Sequence, residues 1–310
     1  MSSADAIMGR ALAGERRWLA RAITLIEHRE PSIGRALAGV AIRRRDGPGA
    51  PHVVGLTGPP GAGKSTFADR LVAAARSAGK QVAVVAVDPS SPFTGGAILG
   101  DRIRMERHTA DPGVYIRSLS SRGHLGGLSG ATTDVCDLLD AAGFDLILVE
   151  TVGVGQSELG VMEVADTVVV ILTPESGDAV QAMKAGLLEI ADLFVVNKSD
   201  RPGAAGLVRE LRRTVSLGTA AWSAPVISAS AKEGEGIDEV LAQTDAHLVF
   251  SAGDGRAEWT RRRGDARIRR FLDLAASEGR RHAEAALSED LRDRIRRGET
   301  TPHHGIEELS

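Results

Sequence analysis

Residues 58–65 constrain this chain more than any other stretch: Gly58, Pro59, Pro60, Gly61, Ala62, Gly63, Lys64 and Ser65 fill the pattern G-x-x-x-x-G-K-[ST], with Thr66 directly after it. A short apolar run at 53–57 precedes the pattern and a helical stretch at 64–77 follows it. A loop of that composition turns sharply and lets backbone N–H groups close around phosphate oxygens, which a Cβ in the wrong place would block. Lys64 would place a point charge on the β- and γ-phosphates of a nucleotide. Ser65 would offer its hydroxyl oxygen to a Mg²⁺ that keeps most of its waters. The plain alternative is a Gly-rich turn formed by chance, but strand, complete pattern and helix together disfavour it.

The surrounding chain repeats the same alternation of strand and helix. Candidate strands lie at 53–57, 81–87, 114–117, 146–150, 167–172, 193–196 and 225–228. Each is short, nearly all apolar and without two-fold alternation, as expected when helices cover both faces of the sheet. The pattern predicts an α/β P-loop NTPase with a mainly parallel central sheet over 51–250. An N-terminal helical extension over 1–50 precedes it. Within that extension, 4–45 reads as two helices, with Pro31 restarting the chain. A Gly/Pro linker at 46–51 closes the extension. A charged helical arm over 251–310 follows the domain. Its Arg-rich run at 261–270 is diluted by Asp265 and carries no interleaved aromatics, so it reads as a solvated face or a subunit contact and not as an RNA site.

In parallel sheets of this kind ligands sit beyond the carboxyl ends of the strands, and the remaining informative residues fall there. Asn197, Lys198, Ser199 and Asp200 follow the strand at 193–196. Asp200 can accept from guanine N1–H and from the exocyclic amine, neither of which adenine offers. A site built this way rejects the wrong base by about 10⁴-fold, because its buried acceptor would be left unpaired. Asn197 and Lys198 would brace the loops and cover the ring. After the next strand, Ser230, Ala231 and Lys232 would present a backbone N–H to guanine O6. An N-K-x-D tetrapeptide alone also makes an ordinary turn; phosphate loop, N-K-x-D and S-A-K in this order point to GTP.

Three carboxylates lie on the same rim. Glu150 ends the strand at 146–150 and leads into Gly153, where small GTPases carry D-x-x-G; a glutamate here takes the place of the aspartate. Glu150 would hold a Mg²⁺-bound or attacking water, and the Gly153 N–H would sense the γ-phosphate. Asp88 ends the strand at 81–87, and Asp101 follows a Gly-rich stretch. The plainer roles are a turn cap for Asp88 and a solvated carboxylate for Asp101. Phosphoryl transfer is mostly positioning plus charge neutralisation, so Lys64 with these carboxylates suffices. Mutation of Glu150 without effect on phosphate release would leave a nucleotide-binding scaffold instead.

Composition narrows the remaining classes. Thirty-eight Lys and Arg against 41 Asp and Glu leave a net charge of −3, with no global field toward nucleic acid or an anionic membrane. The one cysteine, Cys136, excludes an internal disulfide and a Cys-based zinc site, and reads as core. The scattered histidines, His108 among them, read as solvated or core residues. No apolar run approaches the roughly 20 residues of a membrane span. Glu15, Arg16 and Arg17 interrupt any secretory core near the start, so the expected location is the cytoplasm.

Asp88-Pro-Ser-Ser-Pro-Phe, Glu150-Thr-Val-Gly-Val-Gly-Gln-Ser-Glu and Asn197-Lys-Ser-Asp together resemble the MeaB/ArgK/MMAA family, G-protein chaperones of adenosylcobalamin-dependent acyl-CoA mutases. The resemblance covers roughly residues 10–290, and the string from Glu150 is its most specific part. It implies a SIMIBI-type G domain, the class that works as nucleotide-controlled dimers, with the C-terminal arm at the dimer contact. It implies GTP/GDP and Mg²⁺ as ligands, with Asp88, Asp101 and Glu150 as the magnesium and hydrolysis carboxylates. It implies a relay to the mutase through Asp178, Gln181 and Lys184, and no nucleic-acid or membrane partner. The segment Pro174-Glu-Ser-Gly-Asp departs from the P-G-A-G-D form of methylmalonyl-CoA mutase chaperones and looks closer to chaperones of isobutyryl- or 2-hydroxyisobutyryl-CoA mutases. The family's older label supplies a rival: a kinase or ATPase linked to lysine/arginine/ornithine transport.

Overall fold

The computed structural model describes residues 3–41, 51–88, 105, 107–108, 110–120, 130–151, 160–175 and 186–309. Among them, strands β1 (His52–Thr57), β2 (Val82–Asp88), β3 (Val114–Ser120), β4 (Leu146–Thr151), β5 (Thr167–Leu172), β6 (Leu193–Val196) and β7 (Val226–Ser228) form one sheet in the order β3-β2-β4-β1-β5-β6-β7. Every neighbouring pair is parallel. All seven candidate strands are therefore present, with ends shifted by at most three residues.

The near-continuous apolar runs follow from burial on both faces. Val168, Val170 and Leu172 of β5 join one core, with Ile147 and Val149 of β4. Val169 and Ile171 join the other, with Leu146 and Leu148. The first core is covered by α1 (Ser3–Leu12), α2 (Arg16–Glu27), α3 (Pro31–Ala41), α5 (Gly130–Ala141), the short α6 (Leu187–Ile190) and α7 (Ala204–Val215). The second is covered by α4 (Lys64–Ser77) and α8 (Ile237–Ala252). Cys136 lies buried in the first core, as its apolar setting predicts.

The N-terminal region forms three helices where two were expected. Gly14 makes the extra break: at φ 81° it accepts the left-handed conformation that ends α1. Its N–H donates to Ala11 O at 3.1 Å and the Glu15 N–H donates to Arg10 O at 3.2 Å, the paired bonds of a Schellman cap. The break at Pro31 falls as expected.

A buried polar chain pins α8 under the amino ends of the strands. His52 Nε2 lies 2.7 Å from Thr167 Oγ1, which lies 2.7 Å from His247 Nδ1. Asp245 of α8 bonds Lys80 at 2.7 Å, and His52 and Lys80 together hold its carboxyl below the usual aspartate range.

The chain divides into two compact units, Met1–Thr260 and Arg261–Ser310. α9 (Arg256–Ala286) begins in the first and makes up much of the second; none of its residues is buried. Within the second unit, α10 (Glu289–Arg296) packs on α11 (Pro302–Leu309) through Leu291, Ile295 and Gly305. Among the described residues no helix is long and apolar enough to cross a membrane.

Candidate nucleotide site

β1 delivers its carboxyl end into the glycine-rich loop, and the loop's geometry explains its composition. Gly58 stands at φ 140°, and a Cβ there would lie 2.0 Å from Ile171 O of β5. Gly63 stands at φ 84° as the residue before α4, and a Cβ there would lie 2.7 Å from Asn197 Nδ2. Any other side chain would push the loop off β5 or off Asn197. The result leaves the first turn of α4 as an anion-favouring N-terminus, whose first N–H groups have no carbonyl four residues back within the helix and which carries the positive end of the helix dipole. Lys64 is buried and folds back on its own loop, donating to Gly58 O at 2.6 Å and to Pro59 O at 3.2 Å.

Sheet order brings Glu150 to this loop. β4 neighbours β1, with Glu150 in register with Leu56, and it neighbours β2, with Glu150 in register with Ala86. Ser65 Oγ donates to Glu150 Oε1 at 2.6 Å, and both residues are buried. A hydroxyl and a carboxylate in contact beside a phosphate loop are hard oxygen donors that suit Mg²⁺. Asp88 closes β2 two residues past Ala86, on the same rim.

The base motifs meet the phosphate loop through Asn197. Its Nδ2 donates to Ala62 O at 2.8 Å, and its Oδ1 accepts the Ala231 N–H at 3.0 Å. One buried amide thus joins the phosphate loop to the S-A-K turn. Ser230 Oγ donates to Asp200 Oδ1 at 3.1 Å, which aims a carboxylate already half-supplied with donors. Lys198 adopts φ 59°, a left-handed backbone uncommon for a side chain of its size. Its Nζ pairs with Glu175 Oε2 at 2.7 Å, and Arg201 pairs with the same carboxylate. Lys232 is held above the usual lysine range by Glu233, with a further contribution from Asp200.

The structure thus gathers Gly58, Pro59, Pro60, Gly61, Ala62, Gly63, Lys64, Ser65, Glu150, Asn197, Lys198, Asp200, Ser230, Ala231 and Lys232 at the carboxyl ends of β1, β4, β6 and β7. Thr66 faces outward on the first turn of α4. Asp101, Gly153, Asp178, Gln181 and Lys184 lie outside the described residues, as does the side chain of Asp88.

Three contacts escaped the sequence. Glu175 carried no signal beyond a departure from the family's loop. Asp69 of α4 bonds Arg107 at 2.8 Å and His108 at 3.0 Å, so His108 is a satisfied buried histidine tying the residues before β3 to the phosphate helix. Arg70 reaches Ala231 O and Lys232 O. Each partner lies far away in the chain, and no local pattern announces it.

The family described as "Methylmalonyl Co-A mutase-associated GTPase MeaB" matches residues 19–286. A protein of Pyrococcus horikoshii named as a GTPase is 46% identical over 296 residues, covering 93% of this chain and 91% of that one. The mouse protein named methylmalonic aciduria type A homolog, mitochondrial, is 38% identical over 264 residues, covering 78% of this chain and 62% of that protein. A crystal structure of a protein named LAO/AO transport system kinase superposes with a TM-score of 0.72 at 27% identity, covering 100% of this chain and 97% of that one.

Proposed function

This chain belongs to the MeaB family of GTPases, and from that premise we propose that its hydrolysis of GTP gates the loading or repair of adenosylcobalamin on a B12-dependent acyl-CoA mutase. The observation that carries the nucleotide half of this reading is the Asn197 bridge, which locks the phosphate loop and the guanine-reading turn into one site. Support for the mutase half comes from the family's description and from the mouse relative's name. The partner is a methylmalonyl-, isobutyryl- or 2-hydroxyisobutyryl-CoA mutase. Glu175, which stands where methylmalonyl-CoA mutase chaperones carry glycine, favours one of the latter two.

In the proposed cycle the amides of α4 and the Lys64 ammonium offset charge on the β- and γ-phosphates as the γ-phosphorus leaves the bridging oxygen. Glu150 holds the attacking water in line and keeps its proton hydrogen-bonded. Ser65, Asp88, Asp101 and Glu150 would hold Mg²⁺, which when bound supplies charge neutralisation between the phosphates. Preorganised charges of this kind supply most of the rate in phosphoryl transfer. Asp178, Gln181 and Lys184 relay the state of the γ-phosphate to the mutase.

GTP hydrolysis by the purified protein, alone and with each candidate mutase, tests the reading. The expected result is stimulation of tenfold or more by one mutase, or at least about 1.4 kcal/mol of barrier lowering. Basal turnover that no mutase accelerates would overturn the chaperone role. The name of the 27%-identical crystal structure favours a second reading, a kinase linked to amino-acid transport. That reading requires the γ-phosphate label to remain on protein instead of appearing as free phosphate.

We also infer a homodimer through α9. Ile268, Phe271 and Leu272 are 61%, 68% and 57% exposed, at the spacing of one helix face. A second copy of the same stripe is the occupant that would cover it, since helices of this length gain most of their stability from packing. Phe271→Glu is expected to convert a two-chain mass in light scattering to a one-chain mass; an unchanged mass would sink the assignment.

A further inference from the structure

The turn that follows β7 is closed by its own hydrogen bonds. The Ser230 N–H donates to Glu235 O at 3.1 Å, the Gly234 N–H donates to Ser230 O at 2.8 Å, and the Glu233 N–H donates to Ser230 Oγ at 3.4 Å. Its shape is therefore set locally. What those bonds leave open is the direction of the Ala231 and Lys232 carbonyls, and both are taken by one side chain from the phosphate helix. Arg70, in the second turn of α4, donates from Nε to Ala231 O at 2.9 Å and from a terminal nitrogen to Lys232 O at 3.0 Å.

A guanidinium is a rigid planar fork, so two such bonds to successive carbonyls fix both peptide planes together. In a trans peptide the C=O and the next N–H point in opposite directions, and the described residues contain no cis peptide bond. With the Ala231 carbonyl turned toward α4, the Lys232 N–H is turned away from it. The Ala231 N–H is donated to Asn197 Oδ1, and the Ser230 hydroxyl is donated to Asp200. The donor whose direction Arg70 governs is thus the Lys232 amide, on the turn that Asn197 and Asp200 bond.

We propose that Arg70 is a positioning residue for base recognition: it aims the Lys232 N–H at the O6 of guanine and couples that aim to the helix holding the phosphates. The proposal rests on the guanine-nucleotide reading of the Asn197–Asp200 site. It adds a specificity determinant that lies outside every nucleotide motif in the chain.

The test compares wild type, Arg70→Ala and Arg70→Lys in equilibrium binding of GDP, IDP and 2-aminopurine riboside 5′-diphosphate. IDP keeps O6 and N1–H but lacks the 2-amino group that Asp200 accepts from; the 2-aminopurine compound keeps the amine but lacks O6 and the N1–H that goes with it, so the readout is the change in each ratio on mutating Arg70, not the wild-type ratio. Wild type is expected to prefer GDP over both. In Arg70→Ala the preference for GDP over the 2-aminopurine compound falls about tenfold, the worth of one misaligned hydrogen bond. The preference for GDP over IDP stays within about twofold. Arg70→Lys, with a charge but no fork, recovers part of the lost ratio, and it carries the test alone if the alanine variant fails to fold. A parallel loss of affinity for all three ligands, or a lower thermal midpoint with unchanged ratios, would make Arg70 a staple only and overturn the proposal. A wild type that does not prefer GDP over either compound would instead remove the base reading, and this proposal with it.

Discussion

Lys64→Ala lowers affinity for GTP by at least about 100-fold, the expected cost of removing a buried charge from its partner. In the described structure the Lys64 ammonium is buried and bonds two carbonyls of its own loop, so the side chain is already ordered where phosphate would bind. That preorganisation is the reason the effect is large: little entropy is spent in aiming the charge. Titration calorimetry with GDP and GTP reads it directly. Thermal unfolding gives a second measure, because a ligand at about 100 times its Kd stabilises by about 2.7 kcal/mol and the variant loses that increment. The nucleotide-free midpoint separates loss of binding from loss of fold. Affinity equal to wild type would remove the phosphate-loop assignment altogether.

Asp200→Asn reverses base preference from GTP toward xanthosine triphosphate, by a change of about 10³-fold in the ratio of kcat/KM values. The aspartate offers only acceptors, which match the N1–H and amine of guanine. The amide keeps one acceptor for N1–H and gains a donor for the 2-oxo group of xanthine. Ser230, which donates to Asp200 Oδ1 at 3.1 Å, can keep the amide oxygen in the same orientation. Guanine then faces a donor with its own donor, and the mismatch carries most of the loss. Hydrolysis rates for the two triphosphates check the prediction, and an unaltered GTP preference would show that Asp200 does not read the base.

Lys64 and Asp200 were legible for a common reason. The phosphate loop needs small residues and left-handed backbone at fixed offsets, a local demand written in adjacent letters. The strands were legible because burial on both faces makes them continuously apolar, and their ends were read to within three residues. The helix break at Gly14 was legible in principle, since glycine closes α1 with φ 81°, but a single glycine among helix formers is a weak mark beside a proline.

The sequence by itself determined the α/β class, the phosphate loop and the order of the guanine motifs, because each follows from steric or hydrogen-bonding needs of neighbouring residues. Only the tertiary structure decided that Glu150 meets Ser65 across 85 positions, that Glu175 holds Lys198, and that Arg70 grips a turn 161 positions away. Those contacts depend on strand order, with β4 beside β1 and β7 at the far edge. Strand order is set by how whole faces pack, and that is a property no window of the chain contains.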